Sequence, residues 1–454
     1  MSTVPRPRPP SVDTVLSAAR RRLDAPRAHE MIVAVTRAVV AEERERLGAG
    51  AGGRSVVDLA AAVVARLDDP GDAISAAAIN ATGVILHTNL GRAPWPQAAI
   101  EAGAAAAGDY LLLELDRATG RRGSRFRAAE EHLIALTGGE DALVTNNNAA
   151  ALVLAVGLAG RGGGVIVSRG ELVEIGGGVR IPEIIRRAGA RLIEVGTTNR
   201  TRVADFEASL AEGRAKVVLR VHPSNFRQEG FTATPDATEL AALAHAHSAI
   251  VIDDLGSGAL LATEAFGLAH EPMPSERLAA GCDLVTFSGD KLVGGPQAGL
   301  IVGRGDLVAR IRRDPLARVM RPDKVTLAAV AATLGLYRAG RAVEEIPLWQ
   351  MIAASPETLR TRAEAVARDA GSGDAVEPVP TEATVGGGAL PGEVLPSFGV
   401  ALGRRSANRT LAALREGTPP VVGRIEAGRV ILDLRTVDPG RDADLVAAIR
   451  SAIG

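Results

Sequence analysis

The chain has 454 residues, 46% of them hydrophobic, and a formal net charge of −1. That is apolar mass enough for a large buried core and two or three domains, while the balanced charge excludes a global field that would draw the protein to nucleic acid or membrane. Any polyanion site must then rest on local clustering. The lone Cys282 excludes an internal disulfide or a multi-cysteine metal site, and fits a reducing cytoplasm. The opening "MSTVPRPRPP" lacks the apolar core of a signal peptide, and no stretch reaches the roughly 18 apolar residues of a membrane span. A cytoplasmic protein is expected.

Residues 11 to 46 carry apolar positions such as Val15, Leu16, Ala19 and Leu23, then Ile32, Val33, Val35 and Val39, at spacings suited to one helix face. Two or three short helices are predicted there. The run "LGAGAGGRS" breaks the pattern as a connector, and "VVDLAAAVVARLDD" resumes as a further amphipathic helix. Residues 1–70 read as a helical N-terminal domain. Its arginines, among them Arg6, Arg8, Arg20, Arg21, Arg22 and Arg27, are diluted by acids, so charge alone describes a solvated helix face.

From about Asn80 short continuous apolar runs take over: "DALVT", "GVIVS", "RLIEV", "KVVLRV", "AIVIDD", "DLVTFS" and "GLIVG". Helical segments such as "TPDATELAALAHAH" separate them, which implies parallel strands covered on both faces. Residues 71–325 are therefore expected to form a doubly wound α/β domain. Beyond residue 326 a helical segment leads into "GSGDAVEPVPTEATVGGGALPGE", read as loop-rich, then the short strands of "RIEAGRVILDLR" and a last helix, "DADLVAAIRSAIG". This predicts a smaller α+β domain over 326–454.

The chain has three lysines, Lys216, Lys291 and Lys324, in a sequence that otherwise uses arginine. A guanidinium stays protonated and forms no reversible imine with an aldehyde, so chemistry that needs a primary amine needs lysine. Lys291, in "FSGDKLVGGPQAG", follows a predicted strand and opens a glycine-rich loop, the usual ligand crevice of an α/β sheet. A solvated loop lysine is the alternative. Upstream, "AIVIDDLGSG" ends a strand in Asp253 and Asp254; a carboxylate there can pair with a protonated pyridine nitrogen. Calcium is the rival for paired acids, but it wants 6–8 oxygens and no further acid lies nearby in sequence, so no metal site is expected. Further upstream, Asn146, Asn147 and Asn148 separate a strand from a helix whose N-terminus suits a phosphate, though plain capping by asparagine is as simple. Ser288 could donate to the same phosphate. Phosphate cradle, ring-nitrogen acid and imine lysine then follow in the chain order of the aspartate aminotransferase type of fold.

These residues fall within longer strings: "INATGVILHTNLGRA", "LVTNNNAAALVL", "SRGELVEIGGGVRIPEI", "EVGTTNRT", "HPSNFRQEGF", "DDLGSG", "FSGDKLVGGPQAG" and "GGGALPGE". In this order, from about residue 79 to 392, the set resembles the bacterial selenocysteine synthases, the L-seryl-tRNA(Sec) selenium transferases. The early "PPSVDTVLSAARRRL" is similar to the opening of that family's tRNA-binding domain.

The resemblance implies a fold type I, PLP-dependent transferase with pyridoxal 5'-phosphate held as an imine on Lys291. Asp290 stands beside it as a functional acid, and Asp254 is the ring-nitrogen partner. It also implies that Arg92, Arg125, Arg318 and Arg321 bind selenophosphate, a compact anion suited to forked guanidiniums. The expected reaction turns seryl-tRNA(Sec) into selenocysteinyl-tRNA(Sec) through an aminoacrylyl-tRNA, in a cytoplasmic homodecamer built from dimers, with the N-terminal helices reading the tRNA. Two alternatives stay open on the residues alone: a lyase acting on a small amino acid or amino sugar, and a non-catalytic RNA-binding scaffold. The side chain that stacks on the cofactor ring is sought in "SRGELVE".

Overall fold

The computed structural model describes residues 8–23, 27–48, 50–68, 77–122, 127–371, 375–403 and 406–453. Arg6 and Arg125 lie outside them. The chain divides into two compact units, Met1–Ala77 and Ala78–Gly454.

The first unit is three helices, Val12–Arg20, His29–Gly48 and Val56–Asp68. Ser11 caps the first by accepting from the Thr14 N–H. Val15, Ala19, Ile32, Val39, Leu59 and Val63 converge in one apolar cluster, each large aliphatic contributing about 1.5–3 kcal/mol when fully buried. At the edge of this small core sits a buried acid, Glu43. It accepts from the Arg54 backbone N–H at 2.8 Å, from Arg54 Nε at 2.6 Å and from an Arg46 guanidinium N–H at 2.8 Å. The Arg54 backbone donor and these guanidiniums, acting against burial, pull its carboxyl down from 4.5 to about 2. A carboxyl that is more acidic folded than unfolded contributes stability that is full above its unfolded value and lost as pH falls through its folded one. Amide hydrogen exchange in His29–Gly48 should therefore accelerate as pH drops from 4.5 toward 2, after allowance for the intrinsic exchange rate. Glu43→Gln should flatten that dependence. An identical profile in the variant would show that Glu43 does not anchor the unit.

The second unit is built on a seven-stranded sheet: β1 Asp141–Thr145, β2 Gly164–Ser168, β3 Arg191–Val195, β4 Ala215–Val221, β5 Ile250–Gly256, β6 Leu284–Ser288 and β7 Gly299–Gly303. Their spatial order is β1-β7-β6-β5-β4-β2-β3. Alternate residues serve opposite faces: Val165, Val217, Leu219, Ile252, Leu284 and Ile301 pack on one side, and Ile166, Val218, Val251, Val285 and Leu300 on the other. This two-sided burial explains the unbroken apolar runs. One strand departs from the all-parallel expectation, since β7 is antiparallel to both β6 and β1. The link from Ser288 to Gly299 holds no helix, and without a crossover the chain can return only in the opposite direction.

A second sheet of five strands runs Arg424–Glu426, Arg429–Asp433, Val394–Leu402, Val376–Gly386, Val84–Leu86. Its longest strand, Val376–Gly386, falls in the stretch read from sequence as loop. Pro378 and Pro380 mask it there. They are tolerated because this strand pairs with Val394–Leu402 from Val376 to Thr384, while Val84–Leu86 meets it only at Thr384 and Gly386. The prolines thus lie where the other edge carries no partner strand among the described residues. Val84–Leu86 and Ile79–Asn80, which pairs with Val421–Val422, tie the start of this unit to its end. Helix Lys324–Arg338 packs Leu327, Val330 and Leu334 into the core of the large sheet.

Candidate active site

The carboxyl ends of β4, β5 and β6 open on a cavity of about 300 Å³. Adjacent strands leave a crevice at this end of an α/β sheet, where connections diverge to opposite faces. Lys291 reaches it from the turn after β6 and is 7% exposed. Burial pushes its amine below the ordinary lysine range, partly offset by Asp254. A lowered value leaves more of the amine neutral, the form that attacks a carbonyl carbon or takes a proton.

Asp253 and Asp254, adjacent on β5, point to opposite sides of the sheet as strand geometry requires. Asp254 lines the cavity. Its Oδ1 accepts from Asn148 Nδ2 and from Thr286 Oγ1, both at 2.8 Å. Burial raises its pKa, against those two donors and Lys291. Asp253 instead meets Arg220 at 3.3 Å and Arg277 at 3.4 Å.

The three asparagines divide their work differently from a shared phosphate cradle. Asn147 caps helix Asn148–Gly157 by accepting from the Ala150 N–H at 2.9 Å. Asn148 spends its amide on Asp254, and Asn146 donates its backbone N–H to Met320 O at 2.9 Å outside the cavity lining. The helix N-terminus still faces the cavity through Asn147, Asn148 and Ala149, joined by the buried Ser288. An anion there would meet backbone N–H groups and the helix dipole.

Asp290 and Arg92 also line the cavity, bonded to each other at 2.6 Å. Arg92 holds a left-handed backbone, φ 65°, a conformation that costs a non-glycine residue of order 1 kcal/mol and recurs at functional sites. Arg318 and Arg321 do not reach this cavity. They line a second one of about 460 Å³, together with Arg122, Arg127 and Arg312, and Arg321 pairs there with Glu114 at 3.1 Å.

Several lining residues escaped sequence reasoning. His222 and Ser224 follow β4, and Gly387 and Gly388 come from the loop after Val376–Gly386. Gly388 has φ 88°, and a β-carbon on it would lie 2.4 Å from Lys291 Nζ. The signal was available for His222: it sits at a strand's carboxyl end, as Asp254 and Lys291 do. From "SRGELVE" the cavity receives Val173 and Glu174, so no aromatic ring comes from that stretch.

Residues 78–438 match the family L-seryl-tRNA selenium transferase (SelA). A Moorella thermoacetica protein named L-seryl-tRNA(Sec) selenium transferase is 43% identical over 454 residues, 98% of this chain and 96% of that one. The chain belongs to this family. The transferase is also 44% identical over 436 residues to a protein of the same name from Rhizobium meliloti strain 1021, covering 94% and 93% of the two chains. Among solved structures it is similar to a D-glucosaminate-6-phosphate ammonia-lyase, with TM-score 0.60 and 23% identity over 83% of this chain and 96% of that one. That likeness is one of fold, the fold type I, aspartate aminotransferase-like architecture. Identity reaching 98% of the chain takes in the N-terminal helices as well, which sets the transferase apart from the lyase alternative. No helix among the described residues is long and apolar enough to cross a membrane.

Proposed function

We propose that Lys291 attaches pyridoxal 5'-phosphate covalently in the cavity at the ends of β4, β5 and β6, and that the reaction is run by the residues around it. As a member of its family the enzyme converts L-seryl-tRNA(Sec) to L-selenocysteinyl-tRNA(Sec) with selenophosphate. The observation that carries the site assignment is the buried Lys291 amine sharing one cavity with Asp254 and a helix N-terminus.

The residues fit the cofactor. Asp254, fixed by Asn148 and Thr286, would hold a protonated ring nitrogen, and the start of helix Asn148–Gly157 with Ser288 would hold the phosphate. When bound, the group supplies an electron sink beside the seryl Cα. Lys291 then takes the Cα proton and later returns it, a task suited to an amine that burial has made less basic. Asp290 holds Arg92 at the cavity wall, where a guanidinium can bind an oxyanion.

Selenophosphate is assigned to Arg92 together with Arg125, Arg318 and Arg321. Because Arg318 and Arg321 line a separate cavity of their own chain, they are assigned to the site of a neighbouring copy. A homodecamer built from dimers accommodates this. The exposed apolar side chains of Tyr110, Leu112 and Val319 support a face covered by another copy. The N-terminal helices, with exposed Arg20, Arg21 and Arg22, are assigned to tRNA, and the enzyme to the cytoplasm.

Borohydride reduction followed by peptide mapping tests the central assignment. The label should appear on Lys291, in protein that makes selenocysteinyl-tRNA from seryl-tRNA and selenophosphate. A label on Lys216 or Lys324, or none, would remove the reading.

A further inference from the structure

His222 lines the Lys291 cavity from the end of β4. Its backbone N–H donates to the Asp254 carbonyl at 2.9 Å, which fixes it beside the ring-nitrogen acid. Its Nε2 lies 3.2 Å from Oε1 of Glu271, which is 2% exposed and reaches the ring from a different segment. Burial alone would raise the Glu271 carboxyl, but the neighbouring His222, with Ser257 and the Leu390 backbone, outweighs it and leaves the carboxyl below its ordinary value. A buried carboxylate that engages one imidazole nitrogen keeps a proton on it and presents the other nitrogen for chemistry.

Removing the seryl β-hydroxyl as water needs a proton donor, and the charged groups facing the cavity offer few. They are Arg92, Glu174, Asp254, Asp290 and Lys291. Lys291 is committed to the Cα proton, Asp254 to the ring nitrogen, and Asp290 accepts from Arg92. Glu174 pairs with Arg180 at 2.9 Å.

We propose that His222 is the catalytic acid that protonates the departing β-oxygen, and that Glu271 is the positioning residue holding its ring. In this step Lys291 takes the Cα proton, and the electron pair left behind forms the Cα–Cβ double bond as the Cβ–O bond breaks. The pair of the broken bond stays on oxygen, which takes the Nδ1 proton of His222 and leaves as water. His222 is left neutral, its Nε2–H still on Glu271, and regains a proton from solvent. The proposal rests on the reading of Lys291 given above.

The test uses holoenzyme and seryl-tRNA in D₂O without a selenium donor. Dehydrated acyl-tRNA is trapped by an added thiol, and deuterium at Cα is read by mass spectrometry. In His222→Gln the borohydride label on Lys291 and the Cα exchange should persist, while dehydration slows about 100-fold or more. Glu271→Gln, which keeps the shape and removes the charge, should slow dehydration about tenfold with exchange intact. In the cofactor-free protein, ¹⁵N NMR should find the His222 proton on Nε2, a preference lost in Glu271→Gln. Unchanged dehydration in His222→Gln overturns this proposal alone. So does loss of label or exchange in that variant, which would make His222 a residue that holds the cofactor. No label in the wild-type protein overturns the Lys291 assignment and this one with it.

Discussion

Lys291→Ala should yield a folded protein with no absorbance from covalently held cofactor, and selenocysteinyl-tRNA formation reduced by about 10⁴-fold or more. The size follows from the two tasks proposed for this one amine, nucleophile toward the cofactor aldehyde and base toward Cα, each of which contributes orders of magnitude alone. The fold should survive, because a buried amine is a cost to stability that alanine removes. A melting temperature within a few degrees of wild type separates this from unfolding. Lys291→Arg should be equally inactive, since a guanidinium keeps the charge but forms no such bond. Appreciable turnover in either variant would show that another group does the chemistry.

Gly388→Ala should cost a large part of the activity with a much smaller chemical change. A β-carbon there would sit 2.4 Å from Nζ, 2.5 Å from Cε and 3.0 Å from Cδ of Lys291, distances that no van der Waals contact allows. The far end of a lysine is flexible, so the side chain should swing away and the fold persist. The backbone at φ 88° adds about 1 kcal/mol of strain for any residue with a β-carbon. The expected outcome is a folded enzyme a few degrees less stable, with cofactor occupancy sharply reduced and activity down about 100-fold, since misplacement by 1 Å has that effect. Gly392, φ 79° with nothing within 4 Å of an added β-carbon, is the control. Its alanine variant should carry the strain and keep the activity. Equal occupancy in the two variants would refute the account.

The legible part of this molecule is where one physical rule dominates. Seven strands could be read because burial on both faces leaves apolar runs, and the place of Lys291 in the cavity because a glycine-rich loop after a strand opens the crevice of an α/β sheet. Asp254 could be read from its place at a strand end. The strand Val376–Gly386 could not, since two prolines mark a loop unless the edge beside them is known to be open. The partner of Asn148 was hidden for a related reason: the helix start tells that an asparagine is present, but not that β5 brings a carboxylate to 2.8 Å from it. Gly388 and Arg92 reach Lys291 across long stretches of chain, and no local pattern encodes that meeting. The division of Arg318 and Arg321 from Arg92 into separate cavities is likewise a property of the folded chain.

The pairing of Ile79–Asn80 with Val421–Val422, and of Val84–Leu86 with Thr384 and Gly386, bears on synthesis. While the chain is still being made, the segment that leads into Thr88 and Arg92 has no edge to join until nearly the whole message has been translated. The large sheet can assemble on the ribosome, but this wall of the pocket waits for the last part to emerge. A nascent chain stalled before Val421 should therefore carry a formed sheet and an unfinished cavity, a natural substrate for chaperones and proteases.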